Sequence, residues 1–359
     1  MLTDLKRKFT PYYIDIFNCE YASGWCFHRI FRNTPPVISF RQAGKIMGEA
    51  RCGLLRQDLK DQGLHPTGYC GFECVFHEPL DHQSGDPVSV HINGSNWSAC
   101  TYGPDQVLDV FKPDGNPIFF MHIPKTAGTS FNNYIRQYFG YQMSHTHIQT
   151  TPLERQREMA NTSHFLSGHV TLEHIPSIFN DRQSVHRHSI VRQPLKQLHS
   201  HIGWVKGIAL DTNGDFYQKH HSLVQDMGKD LFRTDLANPK NLRQLAAGLD
   251  GFQIDFFDNI QTRYFLDYRP DRVSERDCHN AISNISQFKT IGLTESFNQY
   301  TGEFCDFYGI TQKPVTSVHN PSKVKPLFDI NDPASRAAIE PLVQYDMALY
   351  DEIARQKNS

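Results

Sequence analysis

The rhythm of apolar and polar positions changes near residue 118. Before it, short runs of aromatic, β-branched and other apolar residues are broken by turn formers. Tyr12 to Phe17, Val37 to Phe40, Gly71 to Phe76 and Val88 to Ile92 are predicted strands. Pro35-Pro36, His82-Gln83-Ser84-Gly85-Asp86-Pro87 and Asn93-Gly94-Ser95-Asn96 punctuate them. Arg51 to Gln62 predicts one or two helical turns. This stretch reads as a β-rich domain of residues 1–105, closing near Tyr102-Gly103-Pro104-Asp105.

From Ile118 the pattern is different. Ile118-Phe119-Phe120-Met121-His122-Ile123 is continuously apolar up to its histidine, as expected of a strand buried on both faces. Pro124 to Gly128 predicts a tight loop. Phe131, Tyr134, Ile135 and Tyr138 then recur at helical spacing over Thr129 to Phe139. Further strands are predicted at Phe165-Leu166-Ser167, Ser189-Ile190-Val191 and Thr290 to Leu293. Helices are predicted at Leu195 to Ile208, Glu295 to Phe307 and Pro341 to Arg355. Strands alternating with helices argue for a parallel α/β sheet flanked by helices over residues 106–359.

Charge adds a constraint. The chain has 36 basic and 38 acidic residues, so it lacks the global basic excess of nucleic-acid binders, and a nucleic-acid partner is not expected. Any anion site must be local. Arg182, Arg187, Arg192, Lys196 and Lys206 fall between Arg182 and Leu210 without one acidic residue, a strip suited to an anionic ligand. No apolar run reaches the ~18 residues of a membrane span. The basic start Met1 to Lys8 is not followed by an apolar segment, so it does not read as a signal peptide, and a soluble, cytoplasmic protein is expected.

Six of the eight cysteines lie in the first hundred residues: Cys19, Cys26, Cys52, Cys70, Cys74 and Cys100. They are expected to be ordinary thiols, because nothing points to an oxidising compartment. Cys70-x-x-x-Cys74 lacks a matching second pair. The alternations His145-x-His147, His186-x-His188 and His199-x-His201 lack carboxylate partners at ligand spacing, and no metal is expected.

The strongest chemical signal is His122-Ile123-Pro124-Lys125-Thr126-Ala127-Gly128-Thr129-Ser130. A buried strand runs into a short loop and a helix start, where free amides and the helix dipole favour a phosphate. Lys125 supplies charge, Gly128 permits close approach, and Thr129 and Ser130 add hydroxyls. The order differs from the G-x-x-x-x-G-K-[ST] nucleotide loop. A second segment, Val191-Arg192-Gln193-Pro194, also follows a strand and opens a helix, with Ser200 two turns in.

These two segments together resemble the nucleotide-binding elements of sulfotransferases that use 3′-phosphoadenosine-5′-phosphosulfate (PAPS), especially the family containing heparan sulfate and uronyl 2-O-sulfotransferases. The resemblance extends to Ser167-Gly168-His169-Val170, Asn259 to Tyr264, Ile291 to Glu295 and Asp346-x-x-Leu349-Tyr350, and covers about Pro117 to Ala354. It implies a P-loop-like sulfotransferase fold and PAPS as co-substrate without a metal. It implies that Lys125, Thr126, Ala127, Gly128, Thr129 and Ser130 hold the 5′-phosphosulfate, and that Arg192 and Ser200 hold the 3′-phosphate. A late basic loop closes over the nucleotide in similar enzymes, which points to Lys323 or Lys325. The Gly168-His169-Val170 match implies that His169 is the catalytic base; the family's preceding histidine is Ser167 here. An acceptor hydroxyl must lose a proton as it attacks sulfur, and imidazole suits that task. Glu173 is the alternative base, or a partner of His169 if the segment is helical.

The expectation is therefore an O-sulfotransferase acting on a hydroxyl of a saccharide or glycan. Two alternatives remain at this level. One is a P-loop kinase-like phosphotransferase. The other is a catalytically inert nucleotide- or glycan-binding protein, with Trp25 and Trp97 as aromatic platforms for sugars.

Overall fold

The apolar run at 118 becomes the central strand of a five-stranded sheet in a computed structural model that describes residues 10–31, 34–96, 98–179, 184–312 and 327–358. Thirteen strands are named in chain order among these residues. The first eight are β1 (Tyr12–Phe17), β2 (Tyr21–Cys26), β3 (Val37–Gln42), β4 (Lys45–Arg51), β5 (Leu54–Leu55), β6 (Tyr69–Val75), β7 (Val88–Ile92) and β8 (Cys100–Tyr102). They are followed by β9 (Ile118–Met121), β10 (Ser144–His145), β11 (Phe165–Gly168), β12 (His186–Val191) and β13 (Thr290–Leu293).

The chain divides into two compact units. The first contains residues 1–114, 132–144 and 309–318, and the second contains 115–131, 145–308 and 319–359. The first unit therefore takes in two segments that are distant in sequence from its β-rich part.

In the first unit, antiparallel strands form two four-stranded sheets, in the orders β1-β2-β6-β5 and β4-β3-β7-β8. Their alternating apolar positions form one core that includes Phe17, Phe40, Phe72 and Val90. Strands β2 and β4 escape the sequence reading because Gly, Ser, Lys and Glu interrupt their apolar pattern, and β5 and β8, two and three residues long, are too short to show one. Trp25 packs between Tyr13 and Phe27, with ring centroids at 6.5 and 5.7 Å, as part of a local aromatic cluster. Trp97 lies outside the described residues. All eight cysteines are free thiols, and only Cys19 and Cys100 are not buried.

In the second unit the strand order is β10-β11-β9-β12-β13, and β9, β11, β12 and β13 pair in parallel. β9 explains its own composition. Phe119 and Met121 enter one core with Leu166, Ile291 and Leu349, while Phe120 stacks on Phe131 at 4.4 Å beside Tyr300 and Phe304. Apolar packing on both faces leaves no position for a polar residue until the strand ends. The sheet is thus the parallel α/β sheet that the alternation predicted, with helices following β9, β12 and β13.

One buried carboxylate ties the second unit together. Asp346, on the last helix Gln344–Asn358, accepts from Gln261 N (3.1 Å), Thr262 N (2.7 Å) and Thr262 Oγ1 (2.7 Å). Next to it, Asn259 Oδ1 accepts from Tyr345 N at 2.9 Å, and its Nδ2 donates to Pro341 O at 3.1 Å. The Asp346 bonds satisfy two of the orphan amides at the start of the short helix Ile260–Tyr264, and the Asn259 bonds hold the last helix beside it.

Removing Asp346 strands two buried backbone amides and a hydroxyl, each costing about 1–3 kcal/mol. Asp346→Ala is expected to lower the unfolding free energy by about 3 kcal/mol or more in denaturant titration. Asp351→Ala, on an exposed position of the same helix, is expected to change it by less than about 0.5 kcal/mol.

Candidate active site

The carboxyl ends of β9, β11 and β12 bring the predicted motifs into one region of the second unit. His122 N donates to Gly168 O at 3.0 Å, which extends the β9–β11 pairing one step past the strand. Beyond it the chain turns through Lys125 (φ +66°) and Ala127 (φ +69°), two non-glycine residues in the left-handed region, before the helix Gly128–Ile135 begins. Such backbone costs of order 1–3 kcal/mol per residue and persists only where the surroundings impose it.

Here the surroundings grip the carbonyls. Thr126 Oγ1 donates to Ile123 O (2.9 Å), Gln197 Nε2 to Pro124 O (2.9 Å), Arg192 Nη1 to Lys125 O (3.1 Å) and Thr294 Oγ1 to Thr126 O (2.9 Å). Four consecutive carbonyls are thereby engaged by side chains. In a trans peptide the N–H points opposite to the C=O. The amides of Lys125, Thr126 and Ala127 therefore face away from these partners and lead into the helix start. That is the geometry of an anion-binding nest.

The charges fit the same reading. Lys125 and Arg192 are both partly buried, and burial lowers the pKa of each; the Arg192 charge lowers Lys125 further, while Glu295 partly offsets the effect at Arg192. Two desolvated cations side by side are relieved by an anion. Arg192 is held by Gln261, whose Oε1 accepts from Arg192 N and whose Nε2 donates to Arg192 O, both at 2.8 Å. Gln193 N donates to Glu295 Oε1 (3.1 Å), and Tyr350 OH donates to Glu295 Oε2 (3.2 Å). The three scattered stretches around Gln261, Thr294-Glu295 and Asp346 thus converge on the Lys125 loop and the Arg192 turn.

Ser200 is half-buried on the helix Pro194–Ile208, one turn beyond Gln197 and on the same face. Thr126 is buried, Thr129 is exposed and Ser130 is half-buried at the helix start. The basic strip does not stay together: Arg187 bonds Gln287 (2.8 Å) and Lys206 bonds Thr234 O (3.3 Å), on other faces of the fold. Consecutive residues on a strand and a helix point in different directions, so among its described members only Arg192 contacts the loop. Arg182, Lys323 and Lys325 lie outside the described residues.

His169 follows β11 and sits against this loop. Its amide donates to Gln149 Oε1 (3.0 Å), and its Nδ1 lies 2.6 Å from His122 O. A carbonyl can only accept, so Nδ1 carries the hydrogen and Nε2 is left as the basic nitrogen. Burial is the main cause that lowers its pKa, to about 4, with smaller contributions from His147 and Lys125. The ring is therefore neutral at pH 7.

Two further imidazoles surround it, which sequence spacing did not reveal. His122 lies 4.3 Å from His169 and His147 lies 6.1 Å from it, centroid to centroid, with 5.8 Å between His122 and His147. His147 meets these rings across space, from a different segment of the chain. One nitrogen from each of the three rings lies within 4.8 Å of the other two, a spacing that a single ion could bridge. Ser167, by contrast, is buried in β11.

Glu173 does not pair with His169 through a helix. Residues 169–171 are not helical, and Glu173 Oε2 lies 3.7 Å from His174 Nδ1. Both His169 and Glu173 line a groove of about 610 Å³, which also presents Gln149, Tyr264, Tyr268 and Arg269.

Gly128 is fixed by close approach. A Cβ there would lie 2.0 Å from Cδ2 and 2.4 Å from Nε2 of His122. Gly128→Ala is expected to cost about 1–3 kcal/mol of stability through overpacking. Gly207→Ala, in a helix with open space around it, is expected to gain about 0.5–1 kcal/mol. Parallel denaturant titrations check the pair. In comparisons with known proteins, no family model, no curated protein and no solved structure matches this chain.

Proposed function

We propose that this protein is a PAPS-dependent O-sulfotransferase acting on a hydroxyl of a saccharide or glycan. The observation that carries the reading is the position of His169. Its tautomer is fixed by the His122 carbonyl, and the same residue's ring packs against Gly128, at the start of the anion-binding helix. A base and an anion cradle are thus joined through one residue.

In this reading the phosphosulfate lies on the amides of the Lys125 to Ser130 segment, and Arg192 and Ser200 hold the 3′-phosphate. The acceptor enters by the groove, whose exposed Tyr268 suits a sugar face. His169 Nε2 takes the hydroxyl proton as the acceptor oxygen bonds to sulfur. The bond from sulfur to the bridging oxygen breaks, and adenosine 3′,5′-bisphosphate leaves with Lys125 neutralising its charge. The helix-start amides stabilise the equatorial sulfuryl oxygens.

Transfer of labelled sulfate from PAPS to a glycan panel tests this. His169→Ala is expected to lower kcat by about 10²–10⁴ while adenosine 3′,5′-bisphosphate still binds. Lys125→Ala is expected to lower kcat by about 10²–10³. Wild-type turnover in both variants overturns the assignment. Thermal stabilisation by Mg-ATP and not by adenosine 3′,5′-bisphosphate assigns a phosphotransferase instead, and binding without transfer assigns an inert binding protein.

The pH profile is a separate check. With its pKa lowered to about 4, His169 is the neutral base at all higher pH and is lost only as pH falls through that value. The acidic limb of kcat/KM for PAPS is expected near pH 4 and not near the ~6.5 of free imidazole.

A further inference from the structure

The first unit carries a second convergence of chemistry, built from residues far apart in sequence. Cys19 sits in the turn between β1 and β2, His82 in the loop after β6, and Asp109 beyond the turn Pro104–Gln106. One thiol sulfur, one ring nitrogen and one carboxylate oxygen from these residues all lie within 4.8 Å of one another.

The backbone holds these three segments together at the relevant residues. Cys19 N donates to Leu108 O, and Leu80 N donates to Cys19 O, both at 2.8 Å. Asn18, fully buried, spends both ends of its amide on backbone groups. Its Oδ1 accepts from Glu20 N and Tyr21 N, and its Nδ2 donates to Gln137 O and Phe139 O. Gln42 clamps the backbone of Asp81 from both sides, at 2.8 and 2.9 Å, one residue before His82. Asp109 N donates to Gln312 Oε1 at 2.6 Å. The side chains thus project from a braced frame.

Within that frame the polar atoms conflict. His82 Nδ1 lies 3.3 Å from Pro104 O, which can only accept, so Nδ1 carries the hydrogen whenever the ring is neutral. Nε2 then presents a lone pair to Asp109 Oδ1, 2.9 Å away. Nε2 is buried, and the contact lacks hydrogen-bond geometry. The gap between them takes a cation, either a proton on Nε2 or a metal ion, and the sulfur of Cys19, as the third group around that point, favours the metal.

We propose that Cys19 Sγ, His82 Nε2 and an Asp109 carboxylate oxygen bind a divalent transition-metal ion, with Zn²⁺ the best match and water as fourth ligand. Thiolate, imidazole and carboxylate together suit zinc. Its bond lengths of about 2.0–2.3 Å place tetrahedral ligand atoms roughly 3.3–3.8 Å apart, so the His82–Asp109 pair, at 2.9 Å, opens by a few tenths of an ångström, and atoms as far as 4.8 Å apart draw in by up to about 1 Å. The carbonyl of Pro104 orients the imidazole, as the outer partners of metal-bound histidines do. The side chain of Asp109 is 67% exposed, which leaves an open side for ion and water. On binding, the Cys19 thiol releases its proton to solvent as the metal–sulfur bond forms. No redox step is involved.

The test uses the full chain, stripped with a chelator and titrated with Co²⁺. Binding is read by the thiolate-to-cobalt charge-transfer band in the near ultraviolet, and Zn²⁺ is added in competition. One Co²⁺ per chain is expected to produce the band, and Zn²⁺ to abolish it. Cys19→Ser is expected to remove the band. Asp109→Asn, on an exposed side chain, is expected to weaken Co²⁺ binding about tenfold or more with an unchanged far-ultraviolet spectrum. The cluster of His122, His147 and His169 contains no sulfur and cannot give this signal. Absence of the band in the wild-type protein at millimolar Co²⁺ overturns the proposal, whether or not Cys19→Ser folds. So does a band that persists unaltered in Asp109→Asn, or alkylation of Cys19 that saturating Zn²⁺ does not slow.

Discussion

The second unit is organised around one short piece of backbone, residues 123–126. Its carbonyls are held from behind by Thr126, Gln197, Arg192 and Thr294. A peptide plane cannot turn its carbonyl one way without turning its amide the other. Fixing the carbonyls is therefore what aims the amides, and it offsets the strain of two left-handed non-glycine residues. The donors come from the helix after β12, from the end of β12 itself and from the segment after β13. The loop has its shape only when the parallel sheet is complete.

The same dependence reaches outward. Arg192 touches the loop because Gln261 clamps its backbone, and Gln261 is placed because Asp346 receives its amide. Glu295 joins the Arg192 turn to Tyr350 on the last helix. Gln261 and Asp346 are buried, and polar groups so placed are costly unless satisfied, so this part of the network favours one arrangement over near alternatives. On the other side of the loop, His122 carries the constraint to His169. Its carbonyl sets the tautomer of His169, while its ring excludes any side chain at position 128. Chemistry proposed for His169 thus rests on groups that never touch a substrate.

Burial and charge act together at this centre. Desolvation keeps His169 and His122 neutral and disfavours the charged forms of Lys125 and Arg192. An anion entering the loop reverses the second effect, since it restores to the cations the stabilisation that water no longer gives. Ligand binding and the protonation of the neighbouring imidazoles are accordingly linked, although the groups lie on different strands.

Much of this was legible in the residues themselves. The continuous apolar run at Ile118 requires a strand buried on both faces, because every side chain there must find an apolar neighbour. The spacing after Gly128 and after Pro194 requires helices, and the order of strand, loop and helix places Lys125 and Arg192 at strand ends. These are local consequences of periodicity and of backbone limits at glycine and proline. What tertiary structure decided is which distant residues meet. His122 and His147 join His169, Cys19 meets His82 and Asp109, and the basic strip that looks continuous in sequence is divided among several faces. Glu173 lies beside His174 and not His169, because the intervening residues are not helical. Periodicity specifies the direction of a side chain within its own element. Proximity between elements is set by how sheets and helices pack, and no spacing along the chain encodes it.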